Sequence, residues 1–422
     1  MTEKHIDVLI VGGGPAGLAA ALQLWKRGVR DLLIVEREKQ LGGILRQCIH
    51  DGFGLTQFGE SLSGPEYARR YIDEAERLGI PYITNTTVLS VSPEKIVTTV
   101  SPEGLTVYRA DAVILAMGCR ERTRGALAIP GERPAGVFTA GTAQAYINLY
   151  NRMPAREAVI LGSGDIGMIM ARRLTLEGAH VRAVYEVMPY AAGLPRNIEQ
   201  CLHDYEIPLF LSRTVTKVHG SSRVTGVTVS AVDERLRPIP GTEEFVPCDT
   251  LILSVGLIPE NELSLDAGVT LDPHTRGAFV DEHLMTDVEG IFAAGNVLHV
   301  HDLVDFVSEE AVRLADSAAD YLLHGSLPAC PLSVLCGESV GHTVPQKVSG
   351  RSGFRLTLRV SRPIENCMIT VSQNGRVILS HAMRRAVPAE MIRLDIPRGR
   401  LSDSGDLTVA AVPAPAGKEV CS

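Results

Sequence analysis

Gly12, Gly14 and Gly17, with Pro15 and Ala16 between the last two and Glu36 downstream, are the first residues whose types and spacing imply chemistry. In such a turn the first glycine permits the tight bend, the second lets backbone approach a pyrophosphate, and the third lets a helix pack closely on a strand. The helix that follows presents N–H groups and a partial positive charge to phosphate oxygens. An acid at the end of the next strand is placed to accept hydrogen bonds from an adenosine ribose. The same arrangement returns at Gly162, Gly164 and Gly167, with Asp165 and Ile166 inside the turn and Glu186 as the acid. In both copies the acid follows the first glycine by 24 residues. Two dinucleotide sites in one chain are therefore expected. The N-terminal position of the first, with its Pro15-Ala16, points to FAD. Glu186 favours a free ribose 2′-hydroxyl, and Val187-Met188-Pro189-Tyr190 offer no arginine for a 2′-phosphate, so NAD(H) is expected at the second.

Other polar residues stand near these turns. Cys48 and His50 could flank a flavin as a charge-transfer thiolate or a proton donor; the competing reading is a buried thiol beside a packed histidine. His299, His301, Asp302 and Asp305 have the composition of a metal cluster, but capping and flavin hydrogen bonding explain them more simply. No metal is assigned, and proton delivery by His301 or Asp305 stays open. Arg120, Glu121 and Arg122 read as a hinge ion-pair group. The eight cysteines (Cys48, Cys119, Cys201, Cys248, Cys330, Cys336, Cys367 and Cys421) include no C-x-x-C pair, so neither a zinc knuckle nor a vicinal redox pair is written locally.

The elements that must position these residues follow from periodicity. An apolar run at 6–11, the turn, a helical stretch at 18–26 and a second apolar run at 31–35 make one βαβ unit. Residues 158–161, 168–177 and 180–185 repeat it. Thr- and Val-rich alternation at 82–100 and 105–108 predicts a small antiparallel meander, followed by a buried-type strand at 112–115. After the second copy, 223–232 reads as hairpin strands, 250–254 as a buried strand, 290–296 as a strand running into a Gly turn, and 308–323 as a helix. Beyond residue 328, short alternating stretches at 354–360, 367–372, 376–379 and 407–412 predict strands without helices. The expected fold is α/β: two Rossmann-like dinucleotide-binding domains of three-layer ββα type plus a small C-terminal all-β domain. The expected boundaries are 1–118 with 258–328 for FAD, 119–257 for NAD and 329–422 for the β domain.

Composition narrows the function classes. The chain has 422 residues, 45% hydrophobic and 21% charged, enough for more than one core. A net charge of −8 supplies no global positive field for nucleic acid or an anionic membrane. Apolar runs such as 112–117 stop well short of a membrane span, and the polar 1–5 segment leads straight into a strand, so a cytoplasmic protein without direct membrane insertion is expected.

Over residues 6–325 the chain resembles the class II pyridine nucleotide-disulfide oxidoreductases, on Gly12–Gly17 with Glu36, Ala116-Met117-Gly118, Gly162–Gly167 and the 286–296 segment ending Ala294-Gly295-Asn296. The resemblance implies that the last segment holds the ribityl chain of FAD, with Asn296 where the family usually has Asp. A narrower resemblance rests on 41–55, on Gly64-Pro65-Glu66-Tyr67 and on 295–305. These look like the NAD/FAD oxidoreductases encoded alongside anaerobic-type glycerol-3-phosphate dehydrogenases, relatives of opine oxidase and hydrogen cyanide synthase flavoprotein subunits. The C-terminal region, with Cys330, Cys336-Gly337 and Val344-Pro345-Gln346, fits that group, whereas the clustered cysteines of an opine-oxidase-type iron-sulfur centre are missing. The expected FAD contacts are Gly12, Gly14, Pro15, Ala16, Gly17, Glu36, Gly42, Gly43, Val88, Ala116, Gly118, Gly295 and Asn296. The expected NAD contacts are Gly162, Gly164, Asp165, Ile166, Gly167, Glu186 and Gly256.

Disulfide reductases of this fold use a cysteine pair beside the flavin, either after the Gly42-Gly43 turn or inside the second nucleotide domain; Cys48 is the single cysteine after that turn, and Cys119, Cys201 and Cys248 have no second cysteine near them in sequence. The expectation is a FAD-dependent subunit that exchanges a hydride with NAD(H) and passes electrons to or from a partner dehydrogenase, docked through the β domain. A self-sufficient NADH oxidase or quinone reductase and a non-catalytic flavin-bearing scaffold are the alternatives. Self-association is left open.

Overall fold

A computed structural model describes residues 2–414, which leaves Cys421 outside the described residues. Two compact units emerge: Met1–Cys119 with Pro259–Ser422, and Arg120–Ile258. The fold is mixed α/β with parallel Rossmann-type sheets and additional C-terminal β sheets.

The first unit is built on the strand Thr2–Val11, flanked in parallel by Leu32–Val35 and Gly104–Leu115. Val8, Leu9 and Ile10 are fully buried, as a strand covered on both faces requires. Tyr82–Ile83 extends one edge in parallel. On the other side Gly104–Leu115 does double duty. Its first half pairs antiparallel with Ile96–Ser101, which pairs with Thr87–Val91, while its last residues pair in parallel with Ile291–Ala293. Alternation in the sequence suggests two separate strands at 105–108 and 112–115. They are one, because Arg109, Ala110 and Asp111 continue the extended backbone, with Ala110 buried and Arg109 and Asp111 turned to solvent.

The turn to the helix Pro15–Lys26 explains the glycine spacing. Gly12 has φ +108°, and a Cβ there would sit 2.5 Å from the Ala116 carbonyl oxygen; a Cβ on Gly17 would sit 1.9 Å from the Gly12 carbonyl oxygen. Helix and strand approach backbone to backbone, which only glycine allows. The long helix Val304–His324 packs Val307, Ala311, Leu314, Ala315 and Ala318 into the same core.

In the second unit Leu209–Phe210, His180–Tyr185, Glu157–Leu161, Thr250–Leu253 and Val137–Thr139 form a parallel sheet in that order. The helix Asp165–Leu176 follows the first of its βα turns to carry the glycine spacing, and a meander of Arg213–His219, Gly226–Ala231 and Glu244–Pro247 lies beside it in sequence. Gly162 repeats the constraint: φ is +100°, and a Cβ would lie 2.0 Å from the Ser254 carbonyl oxygen.

The C-terminal strands belong to the first compact unit and carry their own apolar cluster. Five strands, Lys347–Val348, Leu332–Cys336, Leu407–Pro413, Ile364–Gln373 and Arg376–Ala386, form one sheet; Val340–Val344, Phe354–Val360 and Ile392–Ile396 form another. Leu356, Leu358, Ile369, Val371 and Val409 are fully buried in that cluster. No helix among the described residues is long and apolar enough to cross a membrane.

Gly17→Ala should destabilise the protein by about 1–3 kcal/mol, the range for overpacking a tight contact, because the new methyl meets backbone that cannot move aside. Thermal melts against Gly28→Ala, where a Cβ meets nothing within 4 Å, check this; equal Tm losses in the two variants would refute the close-approach account.

Candidate flavin and pyridine-nucleotide sites

Three glycine turns converge in the first unit. The Gly42 N–H donates to the Gly13 carbonyl (2.8 Å), and a Cβ on Gly43 would lie 3.1 Å from the Gly14 Cα. A Cβ on Gly295 would meet the Ala16 Cβ at 3.0 Å. The open side is where a ligand would lie: a Cβ on Gly14 meets nothing nearer than 3.9 Å, and one on Gly118 meets nothing within 4 Å. Backbone N–H groups at the start of the Pro15–Lys26 helix border that space, so these residues fit a pyrophosphate and the start of a flavin. Ala116 follows the Gly104–Leu115 strand with its N–H on the Val11 carbonyl, and Val88 is half-buried against the same core.

Glu36 is buried, and it organises the turn. Its Oε2 accepts the Gly13 N–H (2.8 Å) and its Oε1 the Glu38 N–H (2.8 Å). Glu186 does the same in the second unit: Oε2 accepts the Ser163 N–H (2.9 Å) and Oγ–H (2.7 Å), and Oε1 the Met188 N–H (3.0 Å). Each carboxylate has further lone pairs for a ribose hydroxyl. At Gly164 a Cβ would find 3.7 Å of clearance to the Ser254 Oγ, leaving the approach to the helix start open. Ile166 is partly buried on the apolar side of that helix, and Gly256 takes φ +102° just after the Thr250–Leu253 strand. Asp165 is engaged, its Oδ1 accepting the Leu194 N–H (2.8 Å) and Asn197 Nδ2–H (2.6 Å), so it shapes the 194–197 segment.

The residues singled out for chemistry are distributed among several tasks. Asp305 is buried and pins a distant loop, its two oxygens accepting the Gly54 N–H (3.0 Å) and Thr56 N–H (2.8 Å). That ties the 48–56 segment to the start of the Val304–His324 helix. Asp302 is ion-paired with Arg359 from the C-terminal strands. His50 stacks at a tilt on Phe53, with 4.9 Å between ring centroids. The Cys48 thiol donates to the Ile44 carbonyl (3.4 Å), and burial pushes its pKa up to about 12, the opposite of an activated thiolate. Gly64 begins the next helix against it, since a Cβ there would meet the Cys48 carbonyl oxygen at 2.7 Å.

The Ile291–Ala293 strand runs into a Gly turn, as the 290–296 pattern suggests. Only the short turn Gly295–Val297 follows it, and the helix starts at Val304. The intervening loop is held from both ends. Asn296 Oδ1 accepts the His301 N–H (3.0 Å), and the Gly295 N–H donates to Glu310 Oε1 (2.8 Å). Glu310 Oε2 lies 2.7 Å from His299 Nε2 and 3.4 Å from His301 Nε2. Burial alone would raise the Glu310 carboxyl, but the two imidazoles outweigh it and hold the pKa well below the usual range. Burial lowers His299, with Glu310 opposing. Sequence reasoning missed Glu310. Its signal was present: it sits where apolar residues belong, between Val307 and Ala311 on the buried face of the helix.

With this geometry in hand, comparison with known proteins is decisive at the family level. The sequence profile of the pyridine nucleotide-disulphide oxidoreductases matches residues 6–320. The chain belongs to this family. Thioredoxin reductase of Listeria monocytogenes is 29% identical over 298 residues, covering 70% of this chain and 86% of that protein. An opine oxidase subunit of Rhizobium meliloti is 27% identical, with 70% of this chain and 59% of the relative covered. A hydrogen cyanide synthase subunit of Pseudomonas aeruginosa is also 27% identical, covering 63% of this chain and 60% of the relative. Among solved structures, the T. acidophilum thioredoxin reductase superposes with a TM-score of 0.62 at 24% identity over 76% of this chain and 99% of that one, which establishes the shared fold. The family's FAD and NAD(P)H cofactors make this chain a flavin- and pyridine-nucleotide-dependent oxidoreductase.

Stability should fall as pH drops from about 6.5 to 4 through His342. Burial first, then the His299 and Arg359 charges, lowers its pKa from 6.5 to about 4, with Asp272 opposing and His274 adding to the shift. Protonation therefore favours the unfolded chain throughout that window. A Tm series across it should decline in the wild type and flatten in His342→Gln; parallel slopes would show that His342 does not carry the effect.

Proposed function

We propose that this protein is a FAD-dependent oxidoreductase subunit that exchanges a hydride between NAD(H) and FAD and passes the electrons to or from a partner dehydrogenase, of glycerol-3-phosphate dehydrogenase type, without a redox-active disulfide. The observation that carries this reading is Cys48. Its segment contains no second cysteine, and the thiol is held protonated by burial, so the thiolate that disulfide exchange requires is not provided there. That the opine oxidase and hydrogen cyanide synthase relatives are named as subunits supports a partner. The narrower sequence resemblance supplies its type.

When bound, FAD supplies the hydride-accepting ring that makes the redox step independent of side-chain nucleophiles. The chain's own residues bind and orient. Backbone N–H groups at the starts of the Pro15–Lys26 and Asp165–Leu176 helices take the pyrophosphates, and Glu36 and Glu186 hold each turn in shape while receiving a ribose. Glu310 fixes the Gly295 turn, and Asn296, tied to His301, is presented beside it for a ribityl hydroxyl. Asp305 keeps the Cys48–Thr56 segment ordered at the same place. Proton delivery at this site is assigned to His301, whose backbone N–H is held by Asn296, or to Asp305 in the first turn of the helix that follows. NAD(H) is favoured over NADP(H) because Glu186 repels a 2′-phosphate and the residues that follow it bring no arginine. A location in the cytoplasm, where the NAD(H) pool lies, belongs to the same reading.

Steady-state assays of the isolated holoprotein test this. NADH should outperform NADPH by about tenfold or more in kcat/KM, the discrimination one buried charge contact of about 1.4 kcal/mol confers. Turnover with protein disulfides should stay near background, whereas adding a partner dehydrogenase with its own substrate should raise NAD(H) turnover above that background. Rapid reduction of a disulfide by the chain alone, or preference for NADPH, would overturn it.

A further inference from the structure

Away from the nucleotide turns, three metal-ligating side chains of different chemistry meet where the last long helix hands over to the C-terminal sheets. Asp281 and His283 lie in the tight turn between Val280 and Thr286, and Cys330 lies in the linker just before the strand Leu332–Cys336. One carboxylate oxygen, one imidazole nitrogen and the sulfur all fall within 4.8 Å of one another. The turn fixes the carboxylate, because Asp281 Oδ1 accepts the N–H groups of His283 (2.8 Å) and Met285 (3.1 Å). All three residues are half-buried, so an ion could reach them from solvent.

Two further observations point to a cation. His283 Nε2 is buried and has no hydrogen-bond partner; the nearest acid, Glu282 Oε1, is 3.9 Å away and already accepts the Ser349 hydroxyl (2.6 Å). A buried polar nitrogen left without a partner costs about 1–3 kcal/mol. The thiol also sits among acids: the Cys330 sulfur lies beside the Asp281 carboxylate, and Glu282 bears on it from the same turn. Lys347, from the strand paired with this turn, directs its ammonium to the Ser333 hydroxyl (3.3 Å).

We propose that Asp281, His283 and Cys330 form a binding site for a borderline-soft divalent cation of the Zn²⁺ class, with water completing the coordination. The mixed oxygen, nitrogen and sulfur donors suit zinc and exclude the oxygen-seeking Mg²⁺ and Ca²⁺. Binding exchanges the thiol proton for the metal: the S–H bond breaks, a metal–sulfur bond forms and one proton is released to solvent. The ion would staple the linker entering the C-terminal sheets to the turn whose Met285 bridges Phe292. The cluster of His299, His301 and Glu310 is a poorer candidate. Its carboxylate is already satisfied by hydrogen bonds, and the Arg313 and Arg359 charges bear on it.

The test uses the full-length flavin-loaded protein, stripped with a chelator and titrated with Zn²⁺ against a chromophoric competitor, with ¹¹³Cd NMR reporting the donor atoms. One equivalent should bind, with a cadmium resonance characteristic of sulfur ligation, and affinity should rise with pH as the thiol proton is displaced. Cys330→Ser and His283→Ala should each weaken binding about 10- to 100-fold, while the flavin spectrum and the Tm of the metal-free protein stay unchanged. Cys336→Ser, at the exposed end of the Leu332–Cys336 strand, should bind like wild type. No stoichiometric uptake, a cadmium resonance without sulfur ligation, or uptake undiminished in folded Cys330→Ser and His283→Ala would overturn the proposal.

Discussion

The approach of the Pro15–Lys26 helix to the Thr2–Val11 strand at the Gly17–Gly12 contact is the constraint on which the rest depends. With no side chain between them, the helix start lies against the end of the strand, and its N–H groups line the open space beside Gly14. Fixing backbone so closely costs glycine its large conformational entropy on folding. The strand core of Val8, Leu9 and Ile10 offsets that cost, each such buried side chain contributing about 1.5–3 kcal/mol. The second unit repeats the solution with Gly162 against Ser254, which is why two turns so far apart in sequence share one spacing.

Around this contact the first unit organises acids as scaffolding. Glu36, Asp305 and Glu310 are all buried, and each spends oxygens on backbone N–H groups of a turn or loop: Gly13, Gly54 with Thr56, and Gly295. A buried carboxylate is tolerable only when hydrogen-bonded or paired, and here each bond orders a segment that would border a flavin. The C-terminal strands add to the same frame through Arg359 on Asp302, and through Arg355 and Arg393 on Glu309. The partner-docking role proposed for that β region therefore starts from a surface that shares ion pairs with the helix behind the Gly295 turn.

The glycine turns, their helices and their acids were legible in the sequence because their logic is local, written within one βαβ unit. What lay beyond was harder to read. Asp305 was legible as a functional residue but not as the anchor of Gly54 and Thr56, because nothing local links residues some 250 apart. The helix expected from 308 begins at Val304, since its first turn carries Asp305, held by the Gly54 and Thr56 N–H groups, and not a further repeat of the apolar period. Glu310 was hidden by its type, an acid counted as surface until the fold buried it. In the C-terminal region the strands Leu332–Cys336, Val340–Val344 and Ile392–Ile396 escaped notice, being five residues each and interrupted by polar positions that only the sheet pairing explains. The absence of a local cysteine pair, by contrast, was plain from spacing alone, and the raised pKa of the Cys48 thiol is consistent with it.

The central claim is that two dinucleotide sites in one chain let a hydride pass between nicotinamide and flavin. Anaerobic single-turnover mixing of the flavin-loaded protein with NADH, or with NADH deuterated at the transferring C4 position, tests it most directly. The account predicts bleaching of the flavin absorbance, slowed by deuterium. Flavin that stays fully oxidised under excess NADH would contradict it.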